Sequence, residues 1–62
     1  MLNYLFEIIG EESEICGERF FVQAETREEA DEIREEWFGD EEVECLGEYT
    51  DEYAEILGYD TY

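Results

Sequence analysis

Residues 26–39 read TREEADEIREEWFG and decide the fold, because they carry a helix start, a helix stop and the densest run of charge in the chain. Thr26 and Glu29 have the spacing of a capping box, in which the Thr26 hydroxyl accepts from the Glu29 amide and the Glu29 carboxylate accepts from the Thr26 amide. Gly39 suits the left-handed residue that closes a helix. The stretch therefore predicts a helix that ends at Gly39.

The predicted helix has one apolar side and one acidic side. On a wheel of about 100° per residue, the apolar arc faces the core and consists of Ala30, Ile33, Trp37 and Phe38. The rest of the wheel carries Glu28, Glu29, Asp31, Glu32, Glu35 and Glu36. As a core residue, Trp37 is expected to cost about 3–5 kcal/mol on truncation to alanine.

The acidic side weakens the helix that carries it. Its like-charge pairs at i,i+4 are Glu28 with Glu32, Asp31 with Glu35, and Glu32 with Glu36. Each pair costs roughly 0.2–0.5 kcal/mol at low salt, and a lysine in each pair would reverse the sign. The chain contains no lysine. Solubility requires charge but not charge of one sign. The uniform negative sign therefore indicates a binding role. The alternative is a helix whose charge serves only solubility.

Two strands are predicted before this helix. Residues 2–9 (LNYLFEII) form the most apolar segment and are expected to be the central strand. Residues 10–17 (GEESEICG) are bracketed by glycines and predict a long connection, although Ile15 and Cys16 could already begin the next strand. Residues 18–25 (ERFFVQAE) alternate between two faces and predict a second strand antiparallel to the first.

A third strand is predicted after the helix. Residues 40–42 turn the chain, and residues 43–49 (VECLGEY) place Val43, Cys45 and Tyr49 in phase. Gly47 lies between them and marks a possible β-bulge.

A second, shorter helix is predicted from Thr50 as N-cap to Gly58. Asp51 and Glu52 fall in its first turn, where the helix dipole favours negative charge. Its apolar side consists of Tyr53, Ala54, Ile56 and Leu57. Residues 59–62 are aromatic enough to dock on the body but could also fray.

These elements predict a single α+β domain over residues 1–62 with the order β-β-α-β-α. A right-handed crossover through the main helix would lay the third strand beside the first. The expected sheet is three-stranded and antiparallel in the order 2-1-3, with the main helix packed on one face.

Charge limits the partners that the chain can have. Its 62 residues include 21 acidic and 3 basic ones, for a net charge of -18. Such a field repels nucleic acid and anionic membranes and attracts basic surfaces. Phe20, Phe21 and Tyr4 are therefore expected to be core residues and not a platform for stacking nucleic-acid bases, which requires a basic groove.

Catalysis, metal binding and cofactors are not expected. The chain has no histidine to activate a nucleophile, and its one serine, Ser13, lies in the predicted loop. Carboxylates at Asp40, Glu41, Glu42 and Glu44 are calcium ligands in type, but they lack the spacing of a calcium loop and favour loose counterion binding. No residue is therefore predicted to be catalytic or to bind a metal.

Cys16 and Cys45 have no zinc or redox spacing. Free, mostly buried thiols are favoured over a disulfide, which agrees with a cytoplasmic protein, and pairing stays open. No signal segment and no apolar run of about 20 residues is present. The sequence therefore predicts a cytoplasmic protein without a membrane segment.

The acidic helix has the spacing to imitate nucleic acid. Glu28, Glu32 and Glu36 form a row with a step of about 6 Å, beside a second row of Asp31 and Glu35. The predicted partner-binding residues are Glu28, Asp31, Glu32, Glu35, Glu36, Asp40, Glu41 and Glu42. Tyrosines at the rim, such as Tyr53, Tyr59 or Tyr62, would add contact energy.

In size, charge and its acidic helix beside a short sheet, the chain resembles the small acidic inhibitors encoded by phages and mobile elements. These include anti-CRISPR proteins, anti-restriction proteins and uracil-glycosylase inhibitors, and the short β-β-α-β plan looks most similar to anti-CRISPR proteins. The resemblance implies an inhibitor in the host-cell cytoplasm, monomeric or homodimeric, that occupies the basic groove of a nuclease. For an anti-CRISPR protein, the target is an RNA-guided nuclease.

Two other interpretations of the acidity remain open. One is an acidic interaction module that binds a basic peptide without affecting a nuclease. The other is a domain adapted to high salt, which should unfold at about 0.05 M salt because its self-repulsion is then unscreened.

Overall fold

Five elements follow one another in the order that the sequence predicts, in a computed structural model that describes residues 2–62. They are β1 (Leu2–Ile8), β2 (Arg19–Ala24), α1 (Arg27–Phe38), β3 (Val43–Tyr49) and α2 (Asp51–Leu57). The strands form one antiparallel sheet in the order β2-β1-β3. The predicted α+β class, the strand order and the apolar central strand are confirmed.

One face of the sheet and α1 enclose the main core. Its buried residues are Tyr4, Phe6, Ile8, Phe20, Val22, Ala24 and Ala30. α1 crosses β2, where Phe38 stacks on Phe20 with 4.3 Å between the ring centroids. The helix begins as predicted, because the Thr26 hydroxyl accepts a hydrogen bond of 3.2 Å from the Glu29 amide.

Gly39 follows α1 as predicted, but the expected left-handed conformation is wrong. Its φ and ψ angles of -59° and -27° are those of a right-handed helix. Space favours glycine here, because a Cβ atom at this position would lie 2.5 Å from the Glu35 carbonyl oxygen.

A β-bulge in β3 places alternate side chains before and after it on opposite faces of the sheet. Leu5 pairs with Gly47 and Phe6 pairs with Cys45, which leaves Leu46 without a partner in β1. Gly47 has a φ of 144°, which side-chain-bearing residues rarely adopt, so the predicted bulge is confirmed. The prediction that Val43, Cys45 and Tyr49 share one face is wrong, because the extra residue moves Tyr49 to the opposite side. Val43 and Cys45 pack against the main core.

The opposite face of the sheet holds a second cluster beneath α2. Leu5 and Phe21 are buried there, and Tyr49 packs edge-on against Phe21. Tyr53 of α2 stacks on Tyr49 at 5.0 Å. The buried Asn3 amide donates a 2.6 Å hydrogen bond to the Asp51 carboxylate, which ties β1 to the start of α2.

Residues 59–62 dock along the free edge of β2. The Phe21 amide donates to the Asp60 carbonyl at 2.8 Å, and the Tyr62 amide donates to the Phe21 carbonyl at 2.8 Å. The bridge between Phe21 and Thr61 is parallel. This C-terminal segment therefore covers backbone groups that an exposed edge strand would leave open to other chains.

The hairpin of β1 and β2 is closed on its surface by an ion pair. Arg19 Nε lies 2.9 Å from Glu7 Oε1, across a register pair of the two strands. The hydrogen bond that Arg19 donates to the Glu7 carboxylate raises the pKa of the Arg19 guanidinium. One of the three basic residues is thus engaged away from α1.

Candidate partner-binding surface

The outer side of α1 is exposed and almost purely acidic. Glu28, Glu32, Glu35 and Glu36 are exposed, and Asp31 is half-buried. Asp31 lies 3.6 Å from Arg27 Nε. Within residues 2–62, this is the one ion pair that involves a predicted partner-binding residue. Most of the carboxylates on α1 are therefore uncompensated.

The turn after α1 extends this acidic side toward the β1–β2 loop. Glu35 and Glu36 share a shallow depression with Asp40 and Glu41. The Ile9 amide donates a 2.9 Å hydrogen bond to the Glu42 carbonyl and so fixes the turn beside the loop.

A second open depression joins the turn to Glu11 and Glu12 of the loop. Five of the predicted partner-binding residues thus border the loop or the turn, and the other three precede them along α1. Together with Glu11 and Glu12, these residues are here called the acidic surface. It consists of Glu11, Glu12, Glu28, Asp31, Glu32, Glu35, Glu36, Asp40, Glu41 and Glu42. Sequence reasoning missed Glu11 and Glu12, because only the contact between turn and loop brings them to this end of the molecule.

Trp37 lies at the acidic surface and not in the core, so its predicted burial is wrong. Its side chain is 62% exposed. The physical reason is the docked C-terminal segment, whose Tyr62 ring packs against Phe20 and Phe38 and occupies the place beside them. Trp37 lies outside Tyr62, with 5.2 Å between the ring centroids. A helical wheel cannot show this, because the competing ring comes from the other end of the chain.

α2 carries a second exposed acidic patch, with apolar residues beside it. Ile56 and Tyr53 are 74% and 48% exposed, and Glu52 and Glu55 are exposed next to them. α2 and α1 pack against opposite faces of the sheet. Because Glu52 and Glu55 equal the α1 glutamates in charge and exposure, they provide matched control positions.

A smaller depression of about 310 Å³ lies between the start of α1 and β3. Its lining includes Tyr4, Arg27, Cys45 and Glu48. Burial raises the pKa of the Tyr4 phenol, and the nearby Glu48 and Cys45 raise it further.

No group of three or more His, Cys, Asp or Glu residues within positions 2–62 is arranged to hold a metal ion. Cys16 and Cys45 are free thiols. Cys45 is half-buried, but Cys16 is exposed, so the predicted burial is wrong for Cys16. Neither helix in the described part of the chain is long and apolar enough to cross a membrane.

No protein-family model, curated protein or solved structure matches this chain.

Proposed function

We propose that this chain is a nucleic-acid-mimicking inhibitor, whose acidic surface occupies the basic groove of a nuclease and excludes its DNA or RNA. The observation that carries the proposal is the spacing of exposed carboxylates along α1. Glu28, Asp31, Glu32, Glu35 and Glu36 fall within about 12 Å of helix axis at a rise of about 1.5 Å per residue.

That spacing matches the charge density of a nucleic-acid strand. These five carboxylates average about one per 3 Å of axis, and one strand of duplex DNA carries about one phosphate per 3.4 Å. A protein groove lined by Lys and Arg to match phosphates would therefore find acceptors at a similar density on α1. The turn and loop carboxylates extend the anionic track beyond the end of the helix.

The rigidity of α1 supports the proposal. Ala30 is fully buried and Phe38 stacks on Phe20, so the helix is fixed to the sheet while its acidic side stays free. The carboxylates are thus held near one another before a partner arrives. A cationic groove would relieve the repulsion between Glu28 and Glu32 and between Glu32 and Glu36, which stabilises the complex beyond the direct contacts.

The target class follows from the same charge pattern and from the resemblance to anti-CRISPR proteins. An RNA-guided nuclease holds its guide–target duplex in a positively charged channel and contacts the backbone rather than the sequence. An anionic ridge can compete for such a channel without imitating a base sequence. The proposed site of action is the cytoplasm of a host cell that contains the nuclease.

The test is DNA cleavage by guide-loaded RNA-guided nucleases of several types. The protein, added before the DNA, should inhibit at least one of them, and inhibition should weaken as salt rises. Glu32→Lys/Glu35→Lys should abolish inhibition, whereas Glu52→Lys/Glu55→Lys, with the same change in charge, should retain it. Equal inhibition by both double variants would refute the role of the acidic surface.

An acidic interaction module is the second candidate, and the exposed apolar side of α2 favours it. Ile56 and Tyr53 beside Glu52 and Glu55 would suit a basic amphipathic helix. In that case Ile56→Ala and the α2 charge reversals would abolish binding, and the α1 reversals would not.

A further inference from the structure

Trp37 is a large aromatic side chain held in place within the acidic surface. It is the one tryptophan of the chain, and its indole rests against Tyr62 at 5.2 Å. Phe38 and Phe20 hold the Tyr62 ring edge-on at 5.3 and 5.7 Å. The indole is thus supported from the core side while 62% of the residue stays exposed.

Acidic residues line the depression beside the exposed indole. Trp37 lines a depression of about 350 Å³ together with Glu35, Glu36, Asp40 and Glu41. No cationic residue of the described chain contributes to that lining. A group that binds here must therefore contact an aromatic face and also compensate several negative charges.

We propose that Trp37 with Glu35, Glu36, Asp40 and Glu41 forms an anchor site for an arginine side chain of the basic partner. This inference rests on the proposed function and adds a contact that charge alone does not supply. A guanidinium group is planar, stacks on an aromatic face and still directs its N–H donors to carboxylates at the rim of the ring. A lysine ammonium is a more strongly hydrated point charge with no plane to stack.

Other occupants fit the site less well. An apolar side chain would cover the indole but would also take nearby carboxylates out of water without a partner. A second copy of this chain would bring one acidic surface against another, with a net charge of -18 on each copy. Nucleic acid is repelled for the same reason. Of these occupants, only a cation complements the charge of the site. The exposed ring favours arginine over other cations, because the guanidinium group can stack on it.

The test compares two labelled peptides, one rich in arginine and one rich in lysine, of equal length and charge. Fluorescence anisotropy should show the arginine peptide binding about two- to fivefold more tightly to the native protein, as expected for a stacked cation at an exposed site. Trp37→Leu keeps an apolar cover on Tyr62 but has no aromatic face, so it should remove this preference. Trp37→Phe should retain part of it.

Two controls separate this inference from the proposed function. Ile56→Ala removes an exposed apolar side chain beside glutamates on α2 and should leave the arginine preference unchanged. Glu28→Gln/Glu32→Gln removes two charges of the acidic surface outside the anchor site and should weaken both peptides together.

If the glutamine variant weakens neither peptide, the binding role of the acidic surface fails. If it weakens both while Trp37→Leu keeps the full arginine preference, only the anchor site is overturned. A native dimer that becomes monomeric in Trp37→Leu, without an arginine preference, would assign the indole to self-association and would also overturn the anchor site.

Discussion

At the scale of single residues, Trp37 and Phe38 show how position within the last helical turn decides between core and surface. Both lie on the apolar arc of the α1 wheel, yet Phe38 stacks on Phe20 and Trp37 lies outside Tyr62. The sequence predicts correctly that the arc faces the sheet. It cannot predict which aromatic residue reaches the core, because Tyr62 competes for the same space from the far end of the chain.

Truncation of Phe20 and of Trp37 should therefore differ in its effect on the free energy of unfolding. Phe20 is 3% exposed, so Phe20→Ala should cost about 3–5 kcal/mol and unfold a large fraction of so small a domain. Trp37→Ala should cost about 1 kcal/mol or less, because most of the side chain is already in water. Urea unfolding followed by circular dichroism measures both. A cost for Trp37→Ala equal to that of Phe20→Ala would place Trp37 in the core.

At the scale of elements, local signals located the helices and strands well. The structure confirms the two helix starts that were predicted from the N-caps Thr26 and Thr50. It also confirms the first strand, predicted from the apolar segment over residues 2–9, and the order of the elements. Local signals could not assign faces after the β3 bulge, because one extra residue exchanges the two sides of a strand. Likewise, the extension of the acidic surface onto the β1–β2 loop depends on the contact between Ile9 and Glu42, which no local pattern contains.

In the absence of a partner, the acidic side of α1 should lower the stability of the folded protein. Glu32→Lys turns the i,i+4 pairs with Glu28 and Glu36 from repulsive to attractive, and Glu35→Lys does the same for Asp31. The double variant should be more stable by roughly 1 kcal/mol at low salt, and the gain should shrink as salt rises. Urea unfolding at about 0.02 M and about 0.5 M salt measures the difference. A loss of stability would mean that these glutamates make favourable contacts within the fold.

At the scale of the whole molecule, acidity is widespread. Carboxylates occur on α2 and β3 as well as on α1, so net charge alone does not identify a binding surface. The acidic surface differs in combining a rigid helix, a fixed turn and loop, and an exposed tryptophan. The sequence predicted most of its residues from one helix and its following turn. The fold added Glu11 and Glu12 and exposes Trp37 beside Glu35 and Glu36.

The central claim is that the acidic surface takes the place of nucleic acid on a basic partner. The most direct measurement immobilises the native protein, Glu32→Lys/Glu35→Lys and Glu52→Lys/Glu55→Lys, loads each with the same bacterial lysate, and elutes with duplex DNA. We predict that DNA releases a nucleic-acid-binding protein from the native and α2-variant columns and not from the α1-variant column. Release of the same proteins from all three columns, or no release by DNA from any of them, would contradict the account.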